Sequence, residues 1–177
     1  MLGDTLKMSG ERGFSQMRLA LEGLSAPQVY AVPVQVGGEE YLHTDGSIYG
    51  IALHSATCKL VYASIAFRGT EIRWRDCADE LASFEPDWEG AMRFIEKSHE
   101  YWMDSWRDLS DSQLMDICPT NYAEDMPAAE WIDIVHHHDS YHAGQIGLLR
   151  ASALEPRDAP ESVAADIRQY CRDSKHW

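Results

Sequence analysis

A chain of 177 residues with 45% hydrophobic and 10% aromatic content can bury a sizeable core, and it is read as one domain over residues 1–177. Its formal charge of −14 repels phosphate backbones, and no local basic patch reverses that field, so a nucleic-acid partner is not expected. No apolar run is read as a membrane span, the N-terminus has no apolar signal region, and Cys58, Cys77, Cys118 and Cys171 lack any finger spacing. The expectation is a cytoplasmic protein with reduced thiols.

The first helix is centred on residues 12 to 24, where Phe14, Met17, Leu21 and Leu24 recur at helical spacing. An earlier start near Thr5 is the alternative, an extension that Gly10 and Gly13 weaken. Ser25 with Gln28 three places on, and Pro27 between them, reads as a capping box opening a short extra turn. Residues 32–46 read as a loop turning at Gly37-Gly38. The second helix runs from about Gly46 to Phe67 and stops at Gly69. Its apolar face carries Ile51, His54, Cys58, Val61 and Ile65, with His54 the helix's lone histidine.

Residues 68–86 form a long connection, which permits a crossover instead of a tight hairpin. The third helix runs from Asp87 to about Leu109, with Trp88, Met92, Ile95, His99, Trp102 and Trp106 forming a seam. Ser110 and Gln113 make a second capping box. The fourth helix begins near Pro127 and reaches about Ala153, and a short fifth helix is predicted from Pro160 to Ser174. Each capping box precedes a helical histidine, His54 or His138, by nearly the same interval, which suggests two similar halves. Four main helices without a competing strand pattern give an all-α four-helix bundle.

The stretch HHHDSYHAGQIGLLR, from His136 to Arg150, carries the chemistry. At about 100° per residue, His138 and His142 fall on one face together with Trp131, Val135, Ile146 and Leu149. Two imidazoles in an inward apolar stripe need a partner, and a metal ion suits an i,i+4 pair. On the same arithmetic His136 projects to the opposite face and His137 to one side, so both read as surface or rim residues. Asp139 is turned away from His138 and makes a poor general base, while His99 and Cys58 read as core residues. Gln145 is a candidate to orient the site, and Gly144 to allow close helix approach.

These residues resemble the DinB-like (DinB/YfiT) superfamily. The resemblance rests on a mid-helix histidine in SIYGIALHSATCKLVY and on the fourth-helix pattern H-x-x-x-H-x-G-Q, and it covers about Phe14 to Arg150. It implies an up-down-down-up bundle with one divalent metal held by three histidines, here His54, His138 and His142. It also implies a homodimer, and a place beside thiol-dependent transferases and isomerases that use bacillithiol or mycothiol.

Three neutral imidazoles with open coordination positions describe a catalytic type of site, able to lower the pKa of a water or to hold a thiol as thiolate. Imidazole suits several metals, so ligand type alone does not separate zinc, nickel, iron and manganese; zinc or nickel are taken first, with iron or manganese behind them. The expected substrate is a small molecule, with a low-molecular-weight thiol as one candidate. The stretch His138-Asp-Ser-Tyr-His142 misses the zincin motif by Asp in place of Glu, and Glu96-x-x-His99 lacks the further glutamates of a di-iron bundle. A non-catalytic metal-binding or stress-response protein is the competing class.

Overall fold

The computed structural model describes residues 1–33, 44–83, 87–121, 124–156, 158 and 176. The predicted helix at Pro160–Ser174 and the turn at Gly37-Gly38 lie outside the described residues, as does Cys171. The described chain is dominated by helix: α1 (Leu2–Leu21), α2 (Ala26–Tyr30), α3 (Ile48–Phe67), α4 (Trp74–Ser83), α5 (Trp88–Trp106) and α6 (Ala128–Arg150). Two-residue strands form two antiparallel pairs, β1 (Val32–Pro33) with β4 (Leu154–Glu155), and β2 (Ile117–Cys118) with β3 (Met126–Pro127). The fold is all-α, as expected.

The helix boundaries follow local chemistry. Ser47 Oγ accepts from the Gly50 amide at 2.9 Å and opens α3, and the Asp87 carboxylate accepts from the Gly90 amide at 2.6 Å and opens α5. Each satisfies an amide that the first helical turn leaves without an intrahelical partner. Past α3, Gly69 and Thr70 take the left-handed conformation (φ 62° and 63°), and the Thr70 amide returns to Ser64 O at 2.9 Å. Both capping boxes form, Ser25 N–H donating to Gln28 Oε1 and Ser110 N–H to Gln113 Oε1, each at 2.9 Å. They open only short pieces: α2, and a 3-10 turn at Gln113–Met115.

Two expectations need correction. The connection at 68–86 contains α4, whose buried Trp74, Cys77 and Ala78 share one side. The first helix takes the earlier start, beginning at Leu2, and it ends at Leu21, short of Leu24. Gly10 and Gly13 do not interrupt it, because they are where α6 comes closest. A Cβ on Gly10 would stand 2.7 Å from His136 Nε2, and one on Gly13 would stand 3.0 Å from His136 O.

Four long helices share one core in which Phe94, Trp102, Trp106 and Trp131 are almost wholly buried. The most extensive packing joins α1 to α6 and α3 to α5, with α3 against α6 holding the pairs together. Gly10 meets His136 near mid-helix, and Arg150 Nη1 donates to Ala20 O (2.7 Å) and Glu22 O (3.0 Å) at the far end. α1 and α6 therefore run in the same sense. Tyr62 packs on Trp131 while His54 packs on His142, so α3 and α6 run in opposite senses.

The expectation that no apolar run approaches a membrane span needs correction, since α3 is long and apolar enough to cross one. Its apolar window is 78% buried within the protein, the condition of a core helix.

Candidate metal centre

α3 contributes His54, and α6 contributes His138 and His142, one turn apart on a single face. One ring nitrogen from each lies within 4.8 Å of the other two, although nothing in the chain's connectivity forces the helices to meet there. His138 Nε2 and His142 Nε2 stand 3.0 Å apart. The His54 ring centroid is 5.4 Å from that of His138 and 5.1 Å from that of His142. His142 is buried, and His54 and His138 are half-buried.

Gln145 sets the tautomer of His142. An amide oxygen only accepts, so the 2.6 Å contact from His142 Nδ1 to Gln145 Oε1 puts the proton on Nδ1 and leaves the Nε2 lone pair facing the other histidines. Burial, followed by the neighbouring His142 and His54 rings and Lys59, pushes the His138 pKa down to about 2. Burial also lowers His142, opposed by its bond to Gln145 and by Asp139. His138 and His142 are therefore neutral near pH 7, the form that ligates metal.

The group passes a test of fit for a divalent ion. Two Nε2 atoms 3.0 Å apart can hold at most one proton between them, and His138 Nδ1 is buried with no hydrogen-bond partner among the described residues. An ion bonded to both Nε2 atoms would use both lone pairs at once, with His54 as the third donor. Cys58 Sγ is 3.6 Å from His54 Nε2, and the thiol is fully buried, as a core residue would be. The Tyr141 ring packs 5.2 Å from His142 and is half exposed, which places it at the outer edge of the group. A groove of about 520 Å³ between α1 and α5 shares no lining residue with the histidines.

Several neighbours stand elsewhere than expected. His137 is exposed, but His136 is only 3% exposed. The face of α6 opposite His138 is covered by α1, and Trp102 Nε1 donates to His136 Nε2 at 3.2 Å. Among the described residues Gly144 permits no close approach, since a Cβ there would meet none of them within 4 Å. His99 is buried as expected, stacked on Phe14 with centroids 3.8 Å apart, and its Nδ1 is 3.4 Å from Lys59 Nζ.

The largest omission of the sequence reading is Lys59, 2% exposed in the middle of α3. It pairs with Asp139 at 2.5 Å, and Ser55 Oγ donates to the other Asp139 oxygen at 2.9 Å. A signal was available: Lys59 is the single charged residue in the otherwise apolar and polar-neutral span from Ile48 to Phe67. A lysine so placed calls for a buried acid from another element.

Fold and histidines together define a helical protein equipped to bind a metal ion. The family model of the DinB superfamily matches residues 11–146, a span that includes all three histidines, and the chain belongs to that superfamily. Comparisons with curated proteins and with solved structures return no match.

Proposed function

We propose that the protein binds one divalent transition metal through His54, His138 and His142 and acts as a metal-dependent enzyme on a small molecule. The observation that carries this reading is the convergence of three imidazole nitrogens within 4.8 Å, drawn from two helices. Zinc or nickel are the first metals to test, with iron or manganese next, since three imidazoles do not by themselves select one metal. Bound there with open positions, such an ion would polarise a water or a thiol enough to release its proton near neutral pH.

The chain's own contribution is orientation and dryness. Gln145 holds the His142 ring with its lone pair inward, and burial keeps the His138 and His142 imidazoles neutral. Hydrolysis and thiol S-transfer are the two reaction types that fit a polarised water or thiol. A low-molecular-weight thiol is the first substrate to screen. The reading also includes a cytoplasmic homodimer, which light scattering on the purified protein tests for oligomeric state.

The deciding experiment is metal content by mass spectrometry on untagged protein, beside the His54→Ala variant. About one transition metal per chain in the wild type, lost in the variant, is the expected result. A wild type that remains metal-free after reconstitution overturns the reading. A bound metal with no activity towards water or thiol substrates would support the non-catalytic metal-binding class instead.

A further inference from the structure

We infer that Lys59 and Asp139 are positioning residues, an internal latch that fixes which of the consecutive histidines on α6 faces His54. The inference rests on the metal-site reading above and adds to it the device that sets the register of the site.

The sequence of α6 is degenerate where it matters. His136, His137 and His138 present three imidazoles at successive steps of about 100°, and helix propensity does not choose among them. Apolar packing alone chooses weakly, because cores tolerate small rotations if volume and pattern are kept. A buried ion pair is far less tolerant.

Asp139 lies beside His138 and one turn before His142, and both its oxygens are engaged by α3. Ser55 Oγ donates to Oδ1 at 2.9 Å, and Lys59 Nζ reaches Oδ2 at 2.5 Å. Ser55 follows His54 directly, and Lys59 lies one turn further along the same side. Two contacts thus join the helices beside the histidines, both of them to Asp139. Turning α6 by one residue would carry Asp139 off both donors and leave an ammonium and a carboxylate buried without each other.

The surroundings of Lys59 make the latch directional. Its Nζ lies 4.5 Å from the centre of the Phe14 ring and 3.4 Å from His99 Nδ1. α1 and α5 therefore hold the ammonium from behind while α6 supplies the counter-charge. As a stabiliser alone such a pair is a poor choice, since apolar side chains of similar volume often do as well or better. Its distinctive property is that it is satisfied in one register only, the role best attested for buried polar groups at helix interfaces.

The test replaces both partners together, so that no unpaired charge remains. The variant Lys59→Met/Asp139→Leu is compared with wild type and with Leu114→Ala, a core truncation remote from the histidines. Zn²⁺ affinity is read by competition with a chromophoric chelator, Co²⁺ geometry by visible absorption, and metal-free stability by thermal unfolding.

The expected result is a folded double variant that binds Zn²⁺ at least about tenfold more weakly and shows an altered Co²⁺ spectrum. Leu114→Ala should lose stability but keep wild-type affinity. Wild-type affinity and spectrum in the double variant would overturn the latch while leaving the metal site standing. A wild type that takes up no Zn²⁺ or Co²⁺ would overturn both. Should the double variant fail to fold, Lys59→Gln/Asp139→Asn keeps both side chains polar and close to their original size while removing both charges together. Failure of that variant too, or its wild-type affinity, would overturn the assignment.

Discussion

Gly10 and His136 stand so close that a single methyl between them has no room. A Cβ on residue 10 would lie 2.7 Å from His136 Nε2, 3.0 Å from its Cε1 and 3.1 Å from Met103 Sδ. The imidazole cannot move aside freely, because Trp102 Nε1 donates to the same nitrogen and the Trp106 ring packs 5.5 Å from it. Gly10→Ala should therefore destabilise the fold by roughly 1–3 kcal/mol, despite its gain in helix propensity. Gly144→Ala, whose added methyl meets none of the described residues within 4 Å, should instead stabilise by up to about 1 kcal/mol. Thermal unfolding of the two variants should move the midpoint in opposite directions.

His138→Ala should abolish stoichiometric metal binding, whereas His136→Ala should keep it and lose stability. The first removes a ring whose Nε2 lies 3.0 Å from that of His142. The second leaves a cavity between α1 and α6 and deprives Trp102 Nε1 of its acceptor, at a cost of about 2–5 kcal/mol. Metal analysis beside urea unfolding checks both, and equal metal loss in the two variants would show that the register is wrong.

Gln145→Leu should weaken metal affinity by roughly ten- to a hundredfold with little change in metal-free stability. Its Oε1 is the partner that holds His142 Nδ1–H at 2.6 Å, and the side chain is only partly buried. Gln145→Glu, which keeps an acceptor oxygen and adds charge, should bind at least as tightly as wild type. Chelator competition distinguishes the three proteins.

Stability of the metal-free protein should decline as pH falls below about 6.5. Burial, then the charges of Lys59, His136 and Arg18, holds His99 down to about 3. Burial, then Lys59 and His137, holds His136 down to about 3. Both are neutral in the fold, but in the unfolded chain they take up protons near 6.5. Between these values the unfolded state binds more protons, so stability rises with pH through the window and is lost on acidification. For two histidines the loss from pH 6.5 to 5 should reach roughly 3 kcal/mol. A urea midpoint unchanged over that interval would show that the rings ionise without unfolding the protein.

Taken alone, the amino-acid sequence determined the helical class, the extents of the second, third and fourth main helices to within a few residues, and the candidate histidines. Each of these is a local or periodic property: caps at Ser47 and Asp87, a left-handed stop at Gly69, and an i,i+4 pair on one apolar stripe. Tertiary structure decided what lies against each face. The sequence placed His136 correctly opposite His138, but only packing shows that this face meets α1 and not water. Gly10 and Gly13 weaken the first helix by propensity, yet they are sites of close approach, since propensity is blind to the neighbouring helix. Lys59 and Asp139 lie on helices far apart in the chain, and the charge on each makes sense only when the other is seen 2.5 Å away. A single helix carries its own period and its own ends. The partner that satisfies a buried charge, or excludes a methyl group, belongs to another helix, and no one-dimensional pattern encodes that contact.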